Sequence, residues 1–273
     1  MLKQYFKFAI RSILKHRSQS IISALGISIG LSCAILIIMY VQYENSYDNF
    51  HDNAGQIYRL VQKRPGMVSN GSDVYARLPG PLKYALANDI PEVKSASKLK
   101  FQTYTFNYKA KVFTERGFIF ADSDFDKVFT FPVVTGDLES ALKEPFSLFL
   151  TQEMAHKYFG DENPMGKVIK LNNRYDYTVK GILEDIPENS HLQFDFVSGM
   201  ETWYSIRGGR DKVDAWDSSS FYTYVKLIDG IGREEMDGKL KSLVTQYLSD
   251  HDHPTEFIMQ AVQGIHLGGN VNS

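Results

Sequence analysis

An uncharged stretch close to the N-terminus constrains this sequence more than any other feature. The 23 residues from Ile21 to Tyr43 include no Asp, Glu, Lys or Arg. As a helix they would measure roughly 34 Å at about 1.5 Å per residue, and the hydrocarbon core of a bilayer is about 30 Å thick. The sequence therefore predicts a transmembrane helix over residues 20–43.

Two kinds of cleaved leader are the alternatives to a retained span. A signal peptide has an apolar region of about 7–15 residues that ends in small residues, whereas this run ends in Ile38-Met39-Tyr40-Val41. A lipoprotein leader would be processed at Cys33, but Gly30-Leu31-Ser32 match that signal poorly and the apolar run continues past the cysteine. We therefore expect the span to be retained.

The charges on either side of the span predict its orientation. Glu44, Asp48 and Asp52 follow the span, and the first basic residue after it is Arg59. Positive charge is retained in the cytoplasm, so we expect a cytoplasmic N-terminus and an external bulk. The residues before the span include five bases and no acid: Lys3, Lys7, Arg11, Lys15 and Arg17.

Four of these bases recur every four positions from Lys3 to Lys15, so they would form one stripe along a helix. Apolar residues such as Phe6 and Ile10 would fill much of the remaining surface. The pattern favours an amphipathic basic helix over residues 1–19, lying on the lipid headgroups of the inner leaflet, rather than a plain charged flank. We expect this helix to transmit the motion of a cytoplasmic partner to the span.

The chain beyond the span has 229 residues, enough for one large or two small domains. The whole chain has a net charge of −2 and no basic block, so nothing suggests a nucleic-acid partner. Because Cys33 lies in the span, the outer part cannot form a disulfide. Alternating and helical patterns predict an α+β fold, with strands at 56–62, 93–106, 111–122, 167–171, 175–183, 221–227 and 255–267 and helices at 81–88, 151–159 and 233–250.

These elements predict an organisation in two lobes. Strand–helix–strand units bracket the outer part, and they can pack into one porter-like α/β lobe formed by residues 44–105 and 221–266. Residues 106–220 would form an inserted, mainly β lobe, and residues 267–273 a tail.

One glycine-rich stretch resembles a phosphate-binding loop without satisfying its spacing. In "GDENPMGKV", five residues separate Gly160 from Gly166 where the motif needs four, and Val168 replaces the Ser or Thr that would hold magnesium. Pro164 also removes one N–H donor. We interpret the stretch as a helix end, a turn and the start of a strand.

Two candidate metal sites are equally incomplete. Asp122, Asp124 and Asp126 have the spacing of a calcium loop, but Lys127 stands where such a loop needs Gly and Val133 where it needs Glu. The stretch His251-Asp252-His253 lacks further ligands at a metal-site spacing. We interpret the first as a polar turn and the second as a solvated helix end. The sequence thus predicts no catalytic, cofactor-binding or metal-binding residues, no cofactor, and a chain that is not itself an enzyme.

Four stretches together resemble one known family. They are "SYDNFHDNAGQIYRLV", "FTFPVVTGDLESALKEPFSLFLTQEMAHKYFGDENPMGKVIKLNN", "YTVKGILEDIPENSHLQFDFV" and "WDSSSFYTYVKL". With the basic segment and the span, they are similar to MacB-like, FtsX-type ABC transporter permeases, most of all to those of Bacteroidetes. The resemblance extends over nearly the whole chain.

The resemblance implies a role and a set of partners. Such permeases lie in the bacterial inner membrane, work as dimers with a second permease subunit, and couple a cytoplasmic ABC ATPase to a periplasmic domain. They export substrates or move lipoproteins, with a periplasmic adaptor or lipoprotein as a further partner. The family residues look structural: Gly160 would end a helix in left-handed geometry, Gly136-Asp137 would turn the chain after Phe131-Pro132, and Pro187, Asn189 and Ser190 would form another turn.

The chain departs from the family in one respect. Family permeases have further spans after this domain, whereas this sequence ends at "QGIHLGGNVNS". We therefore expect a truncated gene product, an expressed fragment or a naturally split protein. The alternative hypothesis is a single-span, membrane-anchored periplasmic binding or sensor module without an ATPase partner.

Overall fold

The structure, a computed structural model, describes residues 4–6, 11, 15–109, 111–249, 254–268 and 271–272. The chain forms two compact units, Met1–Ser46 and Tyr47–Ser273. Most of the helix predicted over residues 1–19, including Lys3 and Lys7, lies outside the described residues. So does the stretch from His251 to His253.

The first unit contains helix α1, Arg17–Glu44. No residue of Arg17–Glu44 is buried, and large apolar side chains such as Ile22 and Ile27 are each 71% exposed. Such a surface is stable in lipid and costly in water. Among the described residues, this is the one helix that is long and apolar enough to cross a membrane.

The second unit is built on a single large sheet. Among the described residues, the strand order along the sheet is β12-β1-β11-β4-β5-β10-β7-β9-β6, with β2, β3 and β8 attached at its sides. The strands are β1 Ile57–Lys63, β2 Val74–Tyr75, β3 Leu78–Pro79, β4 Val93–Tyr108, β5 Lys111–Ala121, β6 Val133–Gly136, β7 Ser147–Thr151, β8 Val168–Leu171, β9 Tyr175–Leu183, β10 Phe196–Gly199, β11 Ser219–Leu227 and β12 Glu256–Ala261.

Most neighbouring strands are antiparallel, and the β5–β10 and β7–β9 pairs are parallel. The strands of the two predicted strand–helix–strand units, β1, β4, β11 and β12, are neighbours in the sheet. The α+β fold class is confirmed. The division of the sheet into a porter-like lobe and an inserted lobe stays a prediction.

Short helices connect the strands. They are α2 Leu82–Asp89, α3 Phe125–Val128, α4 Leu138–Lys143, α5 Gln152–Phe159, α6 Met200–Arg207 and α7 Arg233–Leu248. Thr151 caps α5, as the sequence predicts, because its side chain accepts a hydrogen bond from the Met154 N–H. The hairpin turn between β8 and β9 uses Asn172 and Asn173, whose φ angles are +49° and +57°, the left-handed conformations that a tight hairpin requires.

Apolar side chains from both faces of the sheet form the core. An aromatic-rich cluster around Phe106, Phe118, Tyr177 and Phe196 lies under α5 and α6. A second cluster joins α3 and α4 to the sheet. A third joins α2 and α7 to β1, β4 and β11. The described sheet is therefore covered by helices that each contribute a few buried residues.

The structure corrects several sequence predictions. The strand predicted over 255–267 ends at Ala261, where a 3-10 turn begins, and the helix predicted to residue 250 ends at Leu248. Gly160 ends α5 with a φ of +63°, but its ψ of −129° is not left-handed helical geometry. Asp137 is the N-cap of α4 rather than only a turn residue. The sequence prediction omits β2, β3, β6, β7, β10, α3, α4 and α6.

Candidate functional site

The segment that follows the span is fixed in the outer unit by one buried carboxylate. Asp48 is completely buried. Its Oδ1 accepts hydrogen bonds from the Ser190 hydroxyl (3.3 Å) and from the His191 N–H (3.1 Å). Its own N–H donates to the Asn189 carbonyl (2.9 Å). Asp48 thus connects the start of the domain to the loop after β9.

The local sequence explains how Asp48 reaches this position. Asp48 and Asn53 have φ angles of +57° and +59°, which Asp and Asn adopt more readily than most residues. The segment can therefore turn sharply twice before β1 begins. On the other side, Pro187 begins the predicted turn, since its carbonyl accepts from the Ser190 N–H at 3.0 Å.

His191 extends this contact into the sheet. Its Nδ1 lies 2.8 Å from Asp48 Oδ2, and its Nε2 lies 3.1 Å from the Tyr224 hydroxyl in β11. Nε2 hydrogen-bonds with the Tyr224 hydroxyl, whereas the contact between Nδ1 and the carboxylate is a close approach without hydrogen-bond geometry. Burial raises the pKa of Tyr224, so this hydroxyl keeps its proton. The result is a buried chain Asp48–His191–Tyr224.

A second histidine, His51 in the segment that follows the span, has a neutral ring. His51 Nδ1 accepts from the Thr130 N–H at 3.1 Å, which places its proton on Nε2. The rings of Phe50, Phe129 and Phe131 surround it, with centroids 4.1–5.3 Å away. Burial lowers the pKa of His51 to about 4, although the Asp48 carboxylate acts in the opposite direction. We call residues Tyr47–Gln56 with their partners Ser190, His191, Tyr224 and Thr130 the entry clasp.

A buried lysine lies in the central strand β4. The Lys98 side chain is completely buried, and its Nζ contacts Asp214 Oδ2 at 2.6 Å and the Gly80 carbonyl at 3.3 Å. The rings of Tyr84 and Phe221 lie 4.9 Å from the ammonium, close enough for cation–π attraction. Burial lowers the pKa of Lys98 to about 8 against the attraction of Asp214.

A second lysine joins α2 to the turn after β5. Lys83 Nζ lies 3.0 Å from Asp122 and 2.7 Å from Asp124, and both the lysine and Asp122 are buried. Burial disfavours the charged lysine, but the two carboxylates outweigh it and raise its pKa. Asp122 also accepts from the Lys98 N–H at 2.8 Å. Two of the three aspartates of the rejected calcium pattern therefore bind a lysine ammonium.

Lys83, Asp122 and Asp124 line a cleft of 420 Å³ between α2, the β5–α3 turn, α4 and α6. Arg210 lies over the Tyr84 and Tyr204 rings and pairs with Glu201 at 2.8 Å. Each charged side chain of the cleft thus has an ion-pair partner, which lies in the cleft for all of them except Lys143, whose partner is Glu139. This arrangement is typical of a polar network that stabilises the fold.

The stretch that resembles a phosphate loop has a structural role as well. Glu162 in this stretch pairs with Lys167 and, at 3.2 Å, with Lys109. A carboxylate in the loop opposes phosphate binding. Gly166 has a φ of +76° and donates its N–H to the Val179 carbonyl at 2.9 Å, so it begins the β8–β9 hairpin.

Sequence reasoning missed the residues that the structure brings together. Asp48 counts in the sequence only as a charge after the span, and His51, His191, Lys83, Lys98 and Asp214 carry no motif. One signal was available: a lysine amid the alternating run of β4 is unusual for a strand that is covered on both faces. A distant partner such as Asp214 cannot be identified from the sequence alone.

A family model supplies the decisive comparison. The model described as the MacB-like periplasmic core domain matches residues 20–243, which is most of the chain. The chain belongs to this family. The resemblance to MacB-like permeases is therefore confirmed. The matched range includes most of α1, the entry clasp and the cleft.

Solved structures with a similar fold come from the same group of proteins. A domain described as part of a permease from Porphyromonas gingivalis superposes with a TM-score of 0.66 at 18% identity, over 82% of this chain and 95% of that one. The periplasmic region of MacB from Actinobacillus actinomycetemcomitans gives 0.58 at 15%, over 78% and 92%. The extracellular domain of the noncanonic ABC-type transporter YknZ from Gram-positive bacteria gives 0.55 at 13%, over 75% and 99%. No curated protein matches the sequence.

Proposed function

We propose that this chain is the N-terminal part of an ABC transporter permease subunit. In this proposal, its span and periplasmic domain receive motion from a cytoplasmic ATPase and use it in export, either of small antimicrobial compounds or of lipoproteins. ATP hydrolysis takes place in the partner ATPase. A second permease subunit completes the dimer, and a periplasmic adaptor or lipoprotein contacts the outer domain. Family membership supports this role.

The contacts of the entry clasp are the observation that supports the proposed coupling of the span to the outer domain. Three residues, Asn45, Ser46 and Tyr47, separate the end of α1 from Asp48. Asp48 is buried and bonded to the 189–191 loop, and His191 is in turn bonded to β11. A displacement of the C-terminal end of α1 would therefore reach the sheet through a connection of three residues. A flexible linker would dissipate the same displacement.

Purification from the native membrane tests the proposed partner. We expect the tagged full chain, extracted in a mild uncharged detergent, to co-purify with an ATPase that has a true phosphate-binding loop. Partners would be identified by mass spectrometry after washing at high salt. Recovery of a membrane kinase or regulator instead of an ATPase would support the alternative, an anchored binding or sensor module.

A pair of matched variants tests the coupling itself. Asp48→Asn removes the buried charge, whereas Asp52→Asn makes the same change at an exposed position of the same segment. With the partner ATPase trapped by ATP and vanadate, we expect hydrogen exchange in the 187–191 loop to change in the wild type and in Asp52→Asn. We expect no change in Asp48→Asn. An equal response in all three proteins would contradict the proposal.

A further inference from the structure

The strand at one end of the sheet has an open side. β6 is the last strand of the described sheet, and β9 is the strand that pairs with it. A bulge leaves Val134 between the paired residues Val133 and Thr135. All four residues of β6 are exposed, with Val133 at 42% and Val134 at 48%. The sequence Val-Val-Thr-Gly of β6 contains no charge.

This composition is unusual for an edge that is to stay free. Natural proteins protect edge strands by keeping them very short, with bulges, with lysine, with proline within the strand, or with inward-pointing charge, because an open edge offers unpaired N–H and C=O groups to another strand. β6 is short and bulged, but it contains no lysine, no proline and no charge. Val133 and Val134, two of its four exposed residues, are apolar. β6 is therefore suited to accept an added strand.

A groove beside β6 provides a place for apolar side chains. It has a volume of 390 Å³ and runs between β6 and the start of α4. Phe125, Phe129 and Phe131 lie beneath it with ring centroids 5.3–6.0 Å apart, and of the three Phe131 keeps the most exposure, at 7%. Val133 and Leu138 add apolar surface at its sides. An extended segment at β6 would direct every second side chain to this face of the sheet.

The rim of the same groove is acidic. Asp126, Asp137 and Glu139 line it. Lys143 offsets part of this charge by pairing with Glu139 at 2.6 Å. Burial, and then the charge of Glu139, raise the pKa of Asp126, which agrees with a local excess of negative charge.

We propose that the β6 edge and its groove bind an extended, basic segment of a partner protein, which adds a strand to the sheet. Alternate apolar side chains of the segment pack in the groove against Val133 and the edge of Phe131, and its Lys or Arg side chains pair with the acidic rim. Backbone hydrogen bonds supply affinity in this mode, and the side-chain contacts supply specificity. The inference is independent of the proposed coupling to an ATPase.

The probe is a fluorescein-labelled peptide of alternating Lys and Val, eight residues long. Binding to the full chain in an uncharged maltoside detergent is followed by fluorescence anisotropy. We expect saturable binding that weakens at least fivefold when salt is raised from 50 to 300 mM, because exposed charge pairs are screened. A peptide of alternating Glu and Val, and a Lys-Val peptide with a central proline, are expected to bind at least tenfold more weakly.

Two matched variants localise the binding. Val134→Lys places a positive charge on β6, whereas Val168→Lys makes the same substitution at a 49% exposed valine in β8. We expect Val134→Lys to weaken binding of the Lys-Val peptide at least tenfold and Val168→Lys to leave it unchanged. We expect the double variant Asp126→Asn, Glu139→Gln to weaken binding about tenfold and to reduce its salt dependence.

Several outcomes would overturn the proposal. It is wrong if the peptide does not bind, if the Glu-Val peptide binds as well, or if both Lys variants weaken binding equally. It is also wrong if Val134→Lys converts a dimeric chain to a monomer in light scattering while the peptide binds neither form. That last result would assign the edge to a second copy of this chain.

Discussion

At the residue scale, Lys98 shows most clearly how this fold tolerates buried charge. Its ammonium has Asp214 at 2.6 Å, a backbone carbonyl and several aromatic faces as neighbours. A Cβ at Gly80 would overlap the Asp214 carboxylate, so Gly80 is needed for the close approach of that side chain. The pair thus depends on residues from three distant parts of the chain.

We predict that Lys98→Met strongly destabilises the outer unit. The methionine would leave Asp214 buried without a counter-charge, and breaking one partner of a buried pair costs about 3–5 kcal/mol. The double variant Lys98→Met, Asp214→Asn should recover more than half of the loss, since the amide can still accept from the Tyr204 hydroxyl. Urea unfolding in detergent, followed by tryptophan fluorescence, measures both; Trp203 and Trp216 lie in the outer unit.

A matched control separates burial from pairing. Lys127 pairs with Asp124 at 2.7 Å, almost the distance of the Lys98 pair, but its side chain is 51% exposed. Exposed ion pairs contribute about 0–1 kcal/mol, so Lys127→Met should change the free energy of unfolding by no more than that. Similar losses in the free energy of unfolding for Lys98→Met and Lys127→Met would show that burial of the ion pair does not cause the destabilisation by Lys98→Met.

At the element scale, the entry clasp predicts a specific pH dependence. His51 has an ordinary pKa of 6.5 in the unfolded chain and a pKa of about 4 in the folded one. Between these values the unfolded state binds the proton and the folded state does not. Stability from this group is therefore complete above pH 6.5 and is lost as the pH falls towards 4. A pKa lowered from 6.5 to about 4 corresponds to a loss of about 3 kcal/mol.

The variant His51→Asn isolates this contribution. Asparagine keeps an acceptor for the Thr130 N–H but does not titrate. Asp48, His191 and Lys226 also act on His51, and they remain in the variant. We expect the wild type to lose about 3 kcal/mol more than His51→Asn between pH 6.5 and 4. His156→Asn, at an exposed histidine of α5, should follow the wild type. Parallel pH curves for the wild type and His51→Asn would refute the assignment.

The sequence predicts elements best where local rules decide the structure. The Thr151 cap and the Asn172-Asn173 turn are each settled within a few residues. β7 and β10 are buried at every position, so they show no alternation, and short apolar runs of this kind are ambiguous. The partners of Asp48 and Lys98 lie more than a hundred residues away, where a single sequence contains no pairing signal.

At the scale of the whole molecule, the two units present opposite surfaces. The described helix Arg17–Glu44 exposes its apolar side chains along its length, and the outer unit buries most of its own. The first suits lipid and the second suits water. The asymmetric charge before and after the span should then decide which side of the membrane the outer unit occupies.

We predict that the span is retained with its N-terminus in the cytoplasm. Cys33 is the single cysteine of the chain, so a Cys33→Ser background allows one reporter thiol at a time. Ser18 and Glu188 are both exposed. Ser18 lies before the predicted span 20–43, and Glu188 lies in the outer unit. In intact cells, a membrane-impermeant maleimide should label the Glu188→Cys variant and not the Ser18→Cys variant.

Permeabilising the membrane distinguishes a shielded thiol from a missing one. After permeabilisation, the Ser18→Cys variant in the membrane fraction should be labelled as fully as Glu188→Cys, because a retained span keeps residue 18 attached. Labelling of Ser18→Cys in intact cells would mean that the orientation is reversed. No labelling of Ser18→Cys in permeabilised membranes would mean that the segment is cleaved. Coupling to a cytoplasmic ATPase requires the predicted pattern, because motion can reach the entry clasp only through a span that is still connected to both sides.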